Sequence, residues 1–317
     1  MLASEISIIG ILVDPSRQPE GIEDWFQSNY PDVNLIGSSV PIEPHAPSGN
    51  TLIGVHGSAD GNWGQPMSVF KDLDIAKSAK VEAWKFLSNE NAESVDELRD
   101  YKEDIFIMVR LFAHQTDLGL GAFLDRVSPQ IKEFYNKGVR HFEVHNEPNL
   151  HIEGMWQNWQ NGKEFSDWFL AICRNLRNEY EGILLGYAGL SPGHAIPNVR
   201  YDPIAFHKEA DAAVREADWI GAHCYWQSRS EMLGQNGGLS FQRLETYGKP
   251  ILITEFSNPA ETENTVKGLQ YVDYYKELAK LGVHSAYAFV SNASSGFPNE
   301  IWDNTPIPAI VGDRHDK

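Results

Sequence analysis

Cysteine is almost missing from this chain: Cys173 and Cys224 are the only two in 317 residues. They form no C-x-x-C pair, and two thiols cannot build a disulfide framework, so a disulfide-stapled scaffold is excluded. Cys173 falls in an apolar helical stripe, and Cys224 faces away from a lumen that His223 and Tyr225 would share. Two unpaired, buried thiols are expected, which fits a reducing compartment without requiring one. Long apolar runs are missing too. The stretch Ile8–Val13 is far too short to span a bilayer. Glu5 stands where a secretory signal would carry basic residues, so no targeting segment is visible. Cytoplasmic residence and secretion with a signal already removed both stay open. Positive charge is scarce, with 26 Lys and Arg against 44 Asp and Glu, a net charge of −18. A ligand built on phosphates would need that balance reversed, so nucleic acid is not an expected partner. Strongly anionic polysaccharides are disfavoured for the same reason, and the surplus reads as solubility. No H-x-H, H-E-x-x-H or D-x-D-x-D spacing appears, so a metal is only the runner-up chemistry. Gly119 and Gly121 lack the third glycine of a dinucleotide fingerprint.

What is present is a globular composition, 42% apolar and 22% charged, on a chain long enough to bury one large core. From Leu52 onward, strand and helix signals alternate. The strand signals are 52–56, 81–87, 105–112, 139–149, 183–188, 218–226, 249–256 and 284–290. Helical patterns separate them at 67–80, 92–102, 128–137, 163–180, 202–217, 240–247 and 262–281. The helix at 128–137 is drawn with Ser128 as its cap and Pro129 in its first turn. The segment 307–311 can supply only a short eighth helix. Eight strands in this alternation imply a parallel sheet closed into an α/β (β/α)8 TIM barrel over residues 51–317. Residues 1–50 differ, with short strand signals at 6–13 and 33–42 and a proline-rich stretch after them. They read as an N-terminal extension packing on the barrel. The remnant of a further module in a longer native chain is the alternative.

The stretch Val139–Asn149, VRHFEVHNEPN, organises the rest. Side chains alternate along a strand, so His141, Glu143, His145 and Glu147 are drawn on one face, with Phe142 and Val144 on the other. Glu147 then sits at the C-terminal tip, where barrel active sites lie. The stretch Lys249–Asn258, KPILITEFSN, repeats the plan with Glu255 at its end. Tips of the fourth and seventh strands face each other across a narrow barrel. Two carboxylates in that position can divide the breaking of a glycosidic bond: one donates a proton to the leaving oxygen, the other attacks the anomeric carbon. Arg110 is expected in the lumen with Phe106, Met108 and Phe112. It either pairs with Glu143 as structure or keeps Glu255 ionised. Histidines gather at strand ends (His56, His114, His145, His151, His223) and read as sugar-binding groups. Trp63, Trp156, Trp159, Trp226 and Trp302 fall in or beside loops at the mouth, where flat aromatic faces can stack on pyranose rings.

N-E-P-N at strand four, H-x-Y at strand six (His223 and Tyr225) and an apolar strand seven ending T-E-F resemble clan A glycoside hydrolases, families 5 and 39 in particular. The resemblance spans roughly Leu52 to Ser291. It implies that Glu147 is the acid/base and Glu255 the nucleophile of a retaining β-glycoside hydrolase. It implies that Asn146 binds the sugar 2-hydroxyl, that Tyr225 hydrogen-bonds the nucleophile, and that His223 contacts the acid/base or the sugar. The chain departs from the pattern at two points. Strand eight reads AYAFVSNAS, with Phe289 or Ser291 where many members carry a tryptophan, for which Trp302 is the substitute. Strand two carries Lys85 in place of an arginine, and the arginine is Arg110 on strand three. The expected activity is cleavage of a neutral or weakly charged β-linked polysaccharide or oligosaccharide, with no cofactor. A catalytically silent carbohydrate-binding barrel is the rival reading, and a metal-dependent hydrolase built on His145, Glu147, His223 and Glu255 is a distant third.

Overall fold

The computed structural model describes residues 51–58, 67, 71–292 and 296–314. The extension expected at 1–50 and Trp63 lie outside the described residues. Eight parallel strands close into a barrel in simple sequence order. They are β1 (Leu52–His56), β2 (Ala83–Leu87), β3 (Phe106–Leu111), β4 (His141–Val144), β5 (Leu184–Tyr187), β6 (Trp219–Tyr225), β7 (Ile251–Ser257) and β8 (Ser285–Ala288). Outside them run α1 (Asp72–Ser78), α2 (Ser94–Tyr101), α3 (Leu120–Asn136), α4 (Gly162–Glu179), α5 (Pro203–Glu209), α6 (Asp211–Glu216), the single turn α7 (Arg229–Met232), α8 (Asn264–Lys280) and α9 (Ile307–Gly312). No helix among the described residues is long and apolar enough to cross a membrane.

The helices form where the apolar spacing demands it. In α4, Phe165, Phe169, Ile172, Cys173 and Leu176 are all buried on one stripe, and Asn161 caps the helix by accepting from the Glu164 amide. Helix α3 begins eight residues earlier than its Ser-Pro signal suggests. Phe123, Val127, Ile131 and Phe134 make one continuous buried stripe, so burial carries the helix through Pro129. The pattern at 202–217 divides into α5 and α6, and 240–247 forms a 3-10 helix. Both cysteines are free and buried.

The barrel lumen has two layers of different character. The lower one is apolar: Ala83, Met108, Trp219, Leu252 and Tyr287 pack together, with Leu52, Phe106 and Leu184 against them. Glycines make the room. A Cβ on Gly186 would stand 2.1 Å from the Trp219 ring, and one on Gly54 would stand 2.7 Å from Tyr287. Above this plug the lumen side chains become ionic, and at the same level β6 and β7 slip register between Ala222 and His223. The slip brings Glu255 level with His223 and turns its carboxylate inward.

Candidate active site

The ionic layer starts with Lys85, fully buried on β2. Its Nζ donates to Glu143 Oε2 at 2.9 Å and to the Thr254 carbonyl at 3.0 Å, and lies 3.7 Å from Glu255 Oε1. Arg110 on β3 bridges the two acids, with Nε 2.8 Å from Glu143 and Nη2 2.6 Å from Glu255 Oε1. The two readings of Arg110 are therefore both realised. Two cations and two anions balance in a largely buried cluster that opens to the mouth only at Glu255 and Arg110. Burial opposes the charge on Glu143, but Arg110 and Lys85 overcome it and hold this carboxyl far below its usual range. Burial also opposes the charge on Glu255. The charges of Arg110 at 2.6 Å and Lys85 at 3.7 Å keep it well below the normal value, so it is ionised. Burial, with the Arg110 charge, brings Lys85 down to about 8. Tyr225 adds a phenolic hydrogen bond of 2.6 Å to Glu255 Oε2.

Glu147 sits in the turn after β4 with φ of 33°, and His145, two residues before it, has φ of 76°. Non-glycine residues seldom adopt these left-handed angles, and they end the strict alternation drawn for this stretch. His145 is turned out of the lumen as a result. Its ring stacks on Phe112 at 5.8 Å and meets the edges of Trp159 and Trp168. His145 is therefore a packing residue, excluded from the metal set proposed for it, and burial lowers its pKa to about 4. The same turn redirects Glu147 to His223, whose Nδ1 lies 2.8 Å from Glu147 Oε1. His223 Nε2 lies 3.2 Å from Arg110 Nη2. A guanidinium only donates, so Nε2 is the acceptor and the imidazole proton sits on Nδ1, where it is donated to Glu147. Gly189 allows this ring position, since a Cβ there would stand 2.2 Å from His223.

Glu147, His223 and Glu255 each bring an atom within 4.8 Å of the other two. The two carboxylates thus meet across the mouth. Of the other expected residues, His56 lies with Nε2 3.8 Å from Glu255. It is driven to about 3 chiefly by burial, then by Lys85 and Arg110. Asn146 is beside Glu147, although its Nδ2 is engaged by Glu153 at 2.9 Å. Trp156 is half-buried, 6.4 Å from the rings of His151 and Tyr201. Three tryptophan expectations need correction. Trp226 is buried outside the barrel, stacked on Phe256 with its indole N–H on Gln270. Trp302 is fully buried and stacked on Tyr271. Neither can offer a face to a sugar. Alternation along β6 puts Trp226 on the outward face with Ile220, Ala222 and Cys224, and its indole packs there against Phe256, Tyr271 and Tyr274. Trp159, drawn at the mouth with them, is buried as well, with its N–H on the Pro148 carbonyl. The position beside His56 is taken by Phe289, edge-on at 5.2 Å, with the half-exposed Phe297 against it.

Three participants escaped the sequence reading. Lys85 was seen only as a departure from a pattern. Glu153 contacts Asn146, and burial lifts its carboxyl to about 8. Glu300 is buried beside Ser257 and lifted to about 7, again mainly by burial. Each acid ends a single 3-10 turn beyond a strand, in a segment whose path no local pattern fixes.

No family model and no curated protein matches the sequence. Solved structures do. A GH128 (subgroup II) endo-β-1,3-glucanase from Sorangium cellulosum superimposes with a TM-score of 0.56 at 20% identity, over 81% of this chain and 97% of that one. A Bacillus subtilis mannanase gives a TM-score of 0.58 at 13% identity, over 86% and 88%. A GH5-4 broad specificity endoglucanase from Clostridium acetobutylicum gives 0.56 at 13%, over 83% and 97%. What these likenesses establish is the fold: this chain has the (β/α)8 barrel on which those glycoside hydrolases are built.

Proposed function

We propose that the protein is a retaining β-glycoside hydrolase acting on a β-linked polysaccharide or oligosaccharide. The observation that carries the reading is the meeting of Glu147 and Glu255, with oxygens inside 4.8 Å and unlike surroundings. A separation near 5 Å suits direct attack by one carboxylate, whereas an inverting enzyme leaves about 6.5–9.5 Å for a water. Glu255, ionised by Arg110 and Lys85, is the nucleophile. Glu147 is the acid/base. His223 donates to its Oε1, which leaves Oε2 to protonate the departing oxygen and later to take a proton from the attacking water. The folds it resembles include a β-1,3-glucanase, a mannanase and an endoglucanase, which supports testing neutral β-glucans and β-mannans first.

A metal held by Glu147, His223 and Glu255 fits less well. Two cations, Arg110 and Lys85, already lie 2.6 and 3.7 Å from Glu255. They would repel a divalent ion, and His223 Nδ1 carries a proton. A panel of β-1,3-glucan, β-1,4-glucan, β-mannan and xylan, assayed for new reducing ends in the presence of chelator, tests the reading. Release that Glu255→Gln abolishes, with the anomeric configuration kept, supports it. No release on any substrate, or inversion, sinks it.

A further inference from the structure

Asn146 is an amide with a divided task. Its Nδ2 donates to Glu153 Oε1 at 2.9 Å, while its Oδ1 is buried with no hydrogen-bond partner among the described residues. A buried, unpaired carbonyl oxygen costs about 1–3 kcal/mol, and such an atom beside a catalytic group is a vacancy for a ligand donor. The loop that brings Glu153 to Asn146 is firmly held. The Glu153 carbonyl accepts from His145 Nε2 at 2.8 Å, and His145 is clamped between aromatic rings. The next residue, Gly154, has φ of 113° and leaves no space for a Cβ, which would stand 2.8 Å from Trp159.

We propose that Glu153 is a positioning residue for substrate recognition: it fixes the Asn146 amide so that Oδ1 is presented, as an acceptor, to a sugar hydroxyl next to the scissile bond. This rests on the hydrolase reading above. The hydroxyl at C2 is the one whose hydrogen bonds strengthen in the transition state of such a reaction. The charged groups facing Glu153 are Glu147 from the β4 turn, Arg110 from β3 and Glu255 from β7. Burial above all, with the neighbouring carboxyls of Glu147 and Glu255, keeps Glu153 protonated to about pH 8 against the pull of Asn146 and Arg110. A neutral Glu153 orients the amide without adding a negative charge near Glu255.

The test compares wild type, Glu153→Gln and Glu153→Ala on an aryl β-glycoside and its 2-deoxy analogue. Glu153→Ala is expected to lose roughly 10–100-fold in kcat/KM on the hydroxylated substrate and almost nothing on the 2-deoxy one. Glu153→Gln is expected to stay within about threefold at pH 6 and to keep its activity above pH 8, where wild type declines. Equal losses on both substrates, or an alkaline decline that Glu153→Gln leaves in place, overturn the inference while wild-type turnover leaves the hydrolase reading standing. If wild type cleaves no glycoside, that reading falls by itself. Calorimetric affinities for the same two sugars then decide the role of Glu153: a 2-hydroxyl preference abolished by Glu153→Ala supports it, and any other result overturns it.

Discussion

The two layers of the barrel lumen are built on the same strands, a few residues apart, and obey opposite rules. Below, Met108, Trp219, Leu252 and Tyr287 fill the space with apolar volume. Above, Lys85, Arg110, Glu143 and Glu255 fill it with charge. An apolar layer in the upper position would be as stable or more so, since desolvating a buried ion pair costs about what its attraction returns. A fold keeps such a layer for what it does. Here the charges are arranged so that one carboxylate, Glu143, is sealed in and permanently ionised. The other, Glu255, shares the same guanidinium but reaches the mouth. Glu143 is thus the counterweight that lets Arg110 and Lys85 be buried at all, and Glu255 is the group they serve.

That contrast predicts a division between loss of chemistry and loss of stability. The largest effect is expected for Glu255→Ala, which should lower kcat by at least about 10⁴-fold, as removal of a covalent nucleophile does elsewhere, and should lower Tm as well, because Arg110 and Lys85 lose one of their two carboxylates. Azide should restore turnover with inverted configuration. A variant with near-wild-type kcat would remove Glu255 from the chemistry. Glu147→Gln should cost about 10²–10⁴-fold, and the loss should shrink for leaving groups that need no proton.

Next comes Arg110→Met, which should damage both properties. It leaves Glu143 and Glu255 buried with only Lys85 between them, and removing one member of a buried ion pair costs about 3–5 kcal/mol. Chemical denaturation of the folded protein measures this directly. Trp219→Ala should cost a similar ~3–5 kcal/mol through the cavity it leaves, yet keep the kcat of the molecules that remain folded. If Trp219→Ala destroys turnover as thoroughly as Arg110→Met, the two layers are not separable and the contrast fails.

Much of this was legible beforehand, and the parts that were not have a common cause. The carboxylates were found because each ends an apolar strand, and strand periodicity is local. The eight strands were found for the same reason. Beyond a strand end the alternation lapses, and that is where the reading went astray. His145 turns outward through a positive φ that HNEP does not advertise. Trp226 is a different case: alternation past Tyr225 already sends it into the helix layer, and grouping it with the mouth residues overlooked that. Trp302 comes from a loop, and its burial against Tyr271 is a tertiary fact. Glu153 and Glu300 were invisible for a related reason: a carboxyl in a polar loop looks exposed until the fold buries it. Lys85 showed only as a residue type out of place. The electrostatics that make it useful depend on three other strands.

The smallest effect isolates that last group. Glu300 is 3% exposed, its Oε2 has no hydrogen-bond partner among the described residues, and its pKa stands at about 7 against an ordinary 4.5. Between those two values the folded protein holds a proton that the unfolded chain has released. Stability therefore falls as pH rises through this window, in proportion to the excess protons on the native state. Glu143 and Glu255, whose values are lowered, act in the opposite sense and stabilise above about pH 4.5. Buried neutral histidines such as His56 and His145 also favour the higher pH, so the wild-type curve alone mixes these contributions. The difference between Glu300→Gln and wild type separates them. It should be near zero at pH 5, where both side chains are neutral, and grow to a Tm gain of roughly 2–4 °C at pH 8.5. A gain that is the same at both pH values would mean that Glu300 carries no proton in the folded protein. Its buried charge would then be balanced by Lys267, the cation beside it.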